Sequence, residues 1–205
     1  MLRKDVLRGV LWDVGNVIVR WDPRTLYSKI FPDPSERERF LGEVCTMAWH
    51  QAHDVGKPFA ENIAELTARH PHYAQEIAAW RGRWSEMFSG CIEETEGVMR
   101  ELAAKGVPQY GLTNMSLEVW DEVQAMSGVF AHFEDVVVSA EERRMKPDPA
   151  IFETALARAG LDAHQLLFID DSAANIEAAR AMGFAVHHFT DPAALRPAIS
   201  ACGLL

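Results

Sequence analysis

The stretch LLFIDDSAANIEAARAMGFAVHH, residues 166–188, decides the fold. It opens on a short apolar run, Leu166 to Asp170, followed by a helical pattern from Ala173 to Met182. Gly183 stands where a helix can end in the left-handed conformation, and Phe184 to His188 reads as the next strand. A strand, a helix and a strand in close succession form a crossover, which lays the two strands parallel. The strands are short unbroken apolar runs, the pattern of a sheet covered on both faces.

The same alternation extends outward. Pro147 to Ala159 reads as a helix closed by Gly160, and Asp135 to Ser139 as a strand. Leu117, Trp120 and Val123 mark a helix, Gln109 to Thr113 a strand, and residues 94–105 a helix closed by Gly106. Residues 7–13, LRGVLWD, form the first strand and end in Asp13. The turn Val14-Gly15-Asn16 follows, built on residues that tolerate positive φ. Val17 to Val19 stays apolar until Asp22-Pro23 breaks the pattern, and a short helix from Pro192 ends the chain. The fold class is therefore α/β, a Rossmann-like parallel sheet flanked by helices.

Between Pro23 and Cys91 the period becomes helical. Asp33 caps a helix whose first residue is Pro34, and Pro58 opens another with Phe59, Ile63 and Leu66 on one face. Trp80, Trp84, Met87 and Phe88 make a third stripe, and no strand pattern is visible. Residues 20–95 are read as a helical insertion in a core made of residues 1–19 and 96–205.

A length of 205 residues suits one domain with an insertion, at roughly 150 residues per domain. A hydrophobic fraction of 48% and a charged fraction of 24% exclude disorder, collagen and coiled coil. The net charge of −10 argues against binding nucleic acid or an anionic membrane. It also obliges any anionic substrate to find a local cation. Cys45, Cys91 and Cys202 are few, odd in number and far apart, which suits a reducing cytosol, and each is read as a small buried hydrophobe. Asp5, Arg8 and Asp13 interrupt the N-terminal apolar residues, so no signal peptide is expected. No window approaches the roughly 18 apolar residues of a membrane span. A cytoplasmic monomer or homodimer is expected.

In open parallel sheets, ligands bind beyond the C-terminal ends of the strands. Four segments place polar residues there: Asp13 in LWDVGNV, Thr113-Asn114 in GLTN, Lys146 in RRMKPDP and Asp170-Asp171 in FIDDSAAN. Singly, each is explained by a turn, a helix cap or a solvated lysine. Together they supply an attacking carboxylate, a second carboxylate for a divalent metal, a hydroxyl and an amide for phosphate oxygens, and a neutralising lysine. A carboxylate is repelled by a phosphate dianion, so this chemistry requires cations beside it. Asp171 and Asn175 are four apart and can share a helix face. Asn16, in the first loop, joins the candidate substrate-binding residues.

In order and spacing, these segments resemble the four motifs of the haloacid dehalogenase-like (HAD) hydrolases, and the resemblance covers essentially the whole chain. It implies an HAD-like core whose insertion is a helical cap, and a hydrolase of a small phosphorylated metabolite. It implies Mg²⁺ held by the Asp13 carboxylate, the Gly15 carbonyl and Asp171, with Asp170 close by. Asp13 would be the nucleophile, Thr113 with the Asn114 backbone would hold the phosphoryl group, and Lys146 would bridge it to Asp13.

The chain departs from the family pattern at one position. Many such phosphatases read Asp-x-Asp, with the second Asp as general acid and base; here Gly15 stands in its place. General acid catalysis is typically worth about 10²–10⁴-fold. Three explanations stay open. The leaving group could depart unaided, as an anomeric sugar hydroxyl would; DVGNVIV is similar to a branch containing α-glucose-1-phosphate phosphatases, which also have Gly here. The insertion could supply the acid from Trp49-His50-Gln51-Ala52-His53-Asp54. The reaction could instead be 2-haloacid dehalogenation, which needs no proton donor, although Asp170-Asp171 argues for metal and phosphate. A catalytically weak regulatory or binding relative is a further alternative.

Trp21, Trp49 and His50 are placed near the mouth of the insertion as candidate substrate contacts, and Trp80 and Trp84 in the bundle core. His187-His188 is not read as a metal pair, because adjacent strand residues face opposite ways.

Overall fold

The computed structural model describes residues 7–205. The signal-peptide reading, which rests on Met1 to Val6 and on Asp5 among them, lies largely outside the described residues. In chain order the elements are β1 (Gly9–Trp12), β2 (Val19–Trp21), α1 (Pro23–Ile30), α2 (Pro34–Glu43), α3 (Met47–Asp54), α4 (Phe59–Arg69), α5 (Ala74–Gly82) and β3 (Phe88–Cys91). There follow α6 (Glu93–Ala104), β4 (Gln109–Thr113), α7 (Leu117–Gln124), β5 (Phe133–Val138), α8 (Ser139–Glu142) and α9 (Pro149–Ala159). The chain ends with β6 (Leu166–Asp170), α10 (Ala173–Ala181), β7 (Ala185–His188) and α11 (Pro192–Ala201).

Five strands form one parallel sheet in the order β5-β4-β1-β6-β7, so β1 is central. Every residue of β1 and β6 is buried, which explains their unbroken apolar runs. Their side chains alternate between two cores. Val10 and Trp12 join Leu102 of α6, Val119 of α7 and Leu195 of α11. Leu11 and Phe168 join Ile151 and Phe152 of α9 and Ile176 of α10 on the other face. The first core continues into the helical layer, whose buried centre includes Tyr27, Phe40, Phe59 and Trp80. Helix starts are set locally: Asp22, Asp33, Thr46, Asp148 and Asp191 each accept a backbone N–H of the turn they begin. Such a cap is worth about 1 kcal/mol.

Two features differ from the sequence reading. Val19–Trp21 and Phe88–Cys91 pair as a two-stranded antiparallel ribbon, with Val19 opposite Cys91 and Trp21 opposite Phe88. The chain thus enters and leaves the helical layer side by side. Phe88, expected in a helical stripe, opens β3 instead; four residues hold too few repeats to separate a period of two from one of 3.6. The cysteines also divide: Cys45 is buried, Cys91 half-buried and Cys202 exposed, just beyond the last turn of α11. No helix among the described residues is long and apolar enough to cross a membrane.

Candidate active site

Three adjacent strands, β4, β1 and β6, deliver Thr113, Asp13 and Asp170 to one edge of the sheet. Lys146 arrives from the loop between α8 and α9. It is only 2% exposed, and its ammonium meets Asp13 Oδ1 at 2.8 Å, Asp170 Oδ2 at 2.7 Å and the Leu112 carbonyl at 2.8 Å. Burial works against that charge, but the two carboxylates overcome it and hold the Lys146 pKa above the ordinary lysine value. Burial pushes the Asp13 carboxyl up to about 7; Lys146 opposes this, and the like charges of Asp170 and Asp171 add to it. Asp171 is also raised, first by burial and then by Asp170.

Asp13, Asp170 and Asp171 each bring one carboxylate oxygen within 4.8 Å of the others. Asp170 has little capacity left. Its Oδ1 accepts from the Ser172 amide at 2.8 Å, its Oδ2 from Lys146, and both oxygens from Asn175 Nδ2 at 3.0 Å. Asp13, whose Oδ1 accepts from the Val14 amide and meets Lys146, and Asp171 leave carboxylate oxygens that suit a hard divalent cation, and Gly15 lines the same cavity. Three carboxylates share the single Lys146 ammonium, and the negative charge left over is what such an ion would offset.

Asp13, Thr113, Lys146 and Asp171 floor a cavity of about 380 Å³, the size of a small-metabolite site. Its other wall comes from the helical layer and β2–β3: Trp21, Met47, His50, Asp54, Trp84 and Phe88. The rings of Trp21, His50 and Trp84 touch one another, with centroids 5.2–5.8 Å apart. His50 Nδ1, Asp54 Oδ1 and the indole nitrogens of Trp21 and Trp84 are buried without a hydrogen-bond partner. Among the described residues, Lys146 is the sole lysine or arginine lining the cavity.

A model of the haloacid dehalogenase-like hydrolases matches residues 7–183 of the chain. The chain belongs to that family. A sesquiterpene phosphatase of Aspergillus oryzae is 25% identical over 188 residues, covering 90% of each chain. A phosphoglycolate phosphatase of Yersinia pseudotuberculosis is 24% identical over 193 residues, covering 89% of this chain and 81% of the relative. Among solved structures, an HAD family enzyme of Bacteroides thetaiotaomicron in complex with magnesium superposes with a TM-score of 0.70 at 19% identity, covering 93% of this chain and 98% of its own. An L-2-haloacid dehalogenase superposes with a TM-score of 0.64 at 20% identity, covering 88% and 85%.

The structure redistributes several roles expected in this HAD hydrolase. Asp171 precedes α10 and Asn175 lies within it; both line the cavity, as expected, while the Asn175 side-chain amide donates to Asp170. The Asn114 side chain holds the Lys146 backbone, donating to its carbonyl at 2.9 Å and accepting from its N–H at 2.8 Å. Asn16 adopts φ 55°, as its turn requires, and its Oδ1 accepts from the Trp21 amide at 3.0 Å. Trp49 does not line the cavity. Its ring packs on Trp80 at 5.2 Å and its Nε1 donates to the Asn62 carbonyl at 3.4 Å. Trp49 and His50 lie about 100° apart around α3, and His50 is the one turned to the cavity. Trp84 lies in the buried core, as expected, and from the 3₁₀ turn over Trp84–Met87 it also lines the cavity. His187 and His188 diverge: His188 Nε2 lies 3.0 Å from the Asp171 carbonyl, while His187 Nε2 is buried unpaired. Asp54, at the end of the segment expected to supply the acid, lines the cavity with His50, and His50, His53 and Asp54 form the buried polar face of α3; Ser139 carries no signal in the sequence.

Burial lowers the His50 pKa to about 3, with a smaller contribution from His53. An unfolded histidine titrates near 6.5, so below that pH the unfolded chain binds the proton that folded His50 refuses, and stability is lost as pH falls. Asp13 and Asp54, with raised pKa values, act in the opposite sense. The histidine contribution is therefore read as a difference between proteins. Relative to His50→Gln, the wild type should lose about 1.4 kcal/mol more on going from pH 7.5 to 5.5 in urea titrations. Parallel pH profiles would show that His50 is protonated in the folded state.

Proposed function

We propose that this protein is a Mg²⁺-dependent phosphohydrolase acting on a small phosphate monoester of an uncharged alcohol. The observation that carries the reading is the pairing of a carboxylate, Asp13, with the buried Lys146 ammonium at the floor of a cavity lined by Asp171 and Thr113. Asp13 attacks phosphorus and forms an aspartyl-phosphate, which water then hydrolyses. Lys146 screens the approach of the two anions, and Thr113 with the Asn114 backbone N–H holds the phosphoryl oxygens. Asn114 and Asn175 fix Lys146 and Asp170, so the charges are set before substrate arrives. Mg²⁺, held by Asp13, the Gly15 carbonyl and Asp171, would offset charge on the transferring group.

The phosphatase names of both relatives support the reaction, and the magnesium complex of the Bacteroides neighbour supports the ion. The dehalogenase alternative is less well supported. A 2-haloacid carries a carboxylate that needs a cation, and Lys146 already meets three protein oxygens. The same argument makes phosphoglycolate a poor fit and leaves a sugar or other neutral alcohol in the wall of Trp21 and Trp84. The three cysteines form no disulfide among the described residues, which agrees with a cytoplasmic setting.

An activated aryl phosphate assayed with and without Mg²⁺ tests the proposal. EDTA should abolish turnover and Mg²⁺ should restore it, and neutral sugar phosphates should exceed phosphoglycolate at least about tenfold in kcat/KM, the discrimination that one unpaired charge supplies. Turnover that survives EDTA, or halide release from 2-chloropropionate without phosphate release, would overturn it.

A further inference from the structure

Gly15 leaves the HAD site without a proton donor on its first loop, and the helical layer supplies a carboxylic acid to the same cavity. Asp54 is the last residue of α3, lines the cavity with Asp13 and Lys146, and is 5% exposed. Its Oδ1 is buried without a hydrogen-bond partner. Its backbone is anchored to the core: Ser139 Oγ donates to the Asp54 carbonyl at 2.5 Å and accepts from the Met115 amide at 2.9 Å. Met115 directly follows Thr113-Asn114, so one hydroxyl ties the end of α3 to the expected phosphate-binding loop.

We propose that Asp54 is the general acid and base of this site, a deepening that rests on the phosphatase reading above. Asp54 begins protonated. As Asp13 attacks phosphorus, the bond from phosphorus to the leaving oxygen breaks, and the Asp54 proton passes to that oxygen, releasing a neutral alcohol. The Asp54 carboxylate then takes a proton from water while the water oxygen attacks the aspartyl-phosphate. The bond from phosphorus to Asp13 breaks, and inorganic phosphate leaves with both aspartates restored.

The surroundings suit that cycle. His50 Nε2 lies 3.7 Å from Asp54 Oδ1, too long for a hydrogen bond. The pair has the spacing of an ion pair, but His50 is buried and neutral near pH 7, so it does not hold Asp54 ionised. Burial pushes the Asp54 carboxyl up to about 7, against the pull of Lys146. A group that titrates near working pH can give a proton in one step and take one in the next.

The test compares leaving groups. Asp54→Asn should lower kcat/KM for an alkyl phosphate such as glucose 6-phosphate by about 10²–10⁴-fold, the usual worth of general acid catalysis, and for p-nitrophenyl phosphate by less than about tenfold. kcat/KM reports steps up to departure of the leaving group, so slow hydrolysis of the aspartyl-phosphate does not mask the contrast. That slow step should appear as a burst of nitrophenol. The aryl activity also reports that the variant is folded. Adding Gly15→Asp should recover alkyl turnover in the Asp54→Asn protein, because a Cβ at Gly15 meets nothing within 4 Å. Equal loss on both esters, undiminished alkyl turnover or failure of the Gly15→Asp rescue would overturn the assignment of Asp54 alone. Hydrolysis of neither ester by the wild type would overturn the phosphatase reading and this assignment with it.

Discussion

Asp13→Asn should abolish turnover while leaving the protein folded. An amide keeps the shape of the carboxyl but is a poor nucleophile, so the covalent route closes. Losing the nucleophile of a preorganised site costs roughly 10⁴-fold or more in kcat. The fold tolerates the change because Lys146 keeps two of its three oxygens, Asp170 Oδ2 and the Leu112 carbonyl. The Asn also removes a carboxyl whose charged form is disfavoured by burial. The measurement is phosphate release beside a thermal melt. A native-like melting temperature with more than about 1% of wild-type activity would show that the attacking group is not Asp13, since the loss predicted for a nucleophile is far larger.

Lys146→Met should cost both the activity and much of the stability. The ammonium is the one buried cation between Asp13 and Asp170, and methionine fills its volume without its charge. Removing one partner of a buried ion cluster typically costs about 3–5 kcal/mol, because the remaining charges lose compensation they cannot recover from water. For a chain of this size, that corresponds to a fall in melting temperature of roughly 6–20 °C. The loss should shrink as pH falls through the raised pKa of Asp13, since a protonated carboxyl no longer needs a counter-charge. The double variant Lys146→Met/Asp13→Asn should be more stable than Lys146→Met alone, since one of the stranded carboxylates is gone. A double variant no more stable than the single one would mean that packing, not charge, explains the loss.

The parallel core was legible because its signals are local. Leu166 to Asp170 is apolar at every position but its end, Gly160 and Gly183 stop helices, and Asp33-Pro34 starts one. The residue types at the strand ends were legible as a set, since sheet topology brings strand ends together without knowledge of any loop. What stayed hidden depends on packing between elements. A helical period places Trp49, Trp80 and Trp84 on apolar faces but does not say which face the bundle turns toward the sheet. Positions beyond the strand ends bring Asn114 and Asn175 to the cavity, but the commitment of their side-chain amides to Lys146 and Asp170 depends on how separate loops pack. The segment ending in Asp54 was legible as a source of acid, but which of its residues is buried at the cavity was not, because the burial of Asp54 comes from docking of α3 against α8, far away in sequence.

The β2–β3 ribbon has a topological consequence. Everything from Asp22 to Met87 hangs from two strands that are already hydrogen-bonded to each other, so the sheet sees the insertion as a hairpin tip whatever its length. The entropy of closing a loop grows only logarithmically with its length, and here the ribbon holds the ends together. The helical layer can therefore lengthen, shorten or be exchanged during evolution without shifting the register of β1 against β4 and β6. The strand that enters the insertion also carries Trp21 into the cavity wall, so an exchanged layer would arrive with part of its own specificity built into the joint.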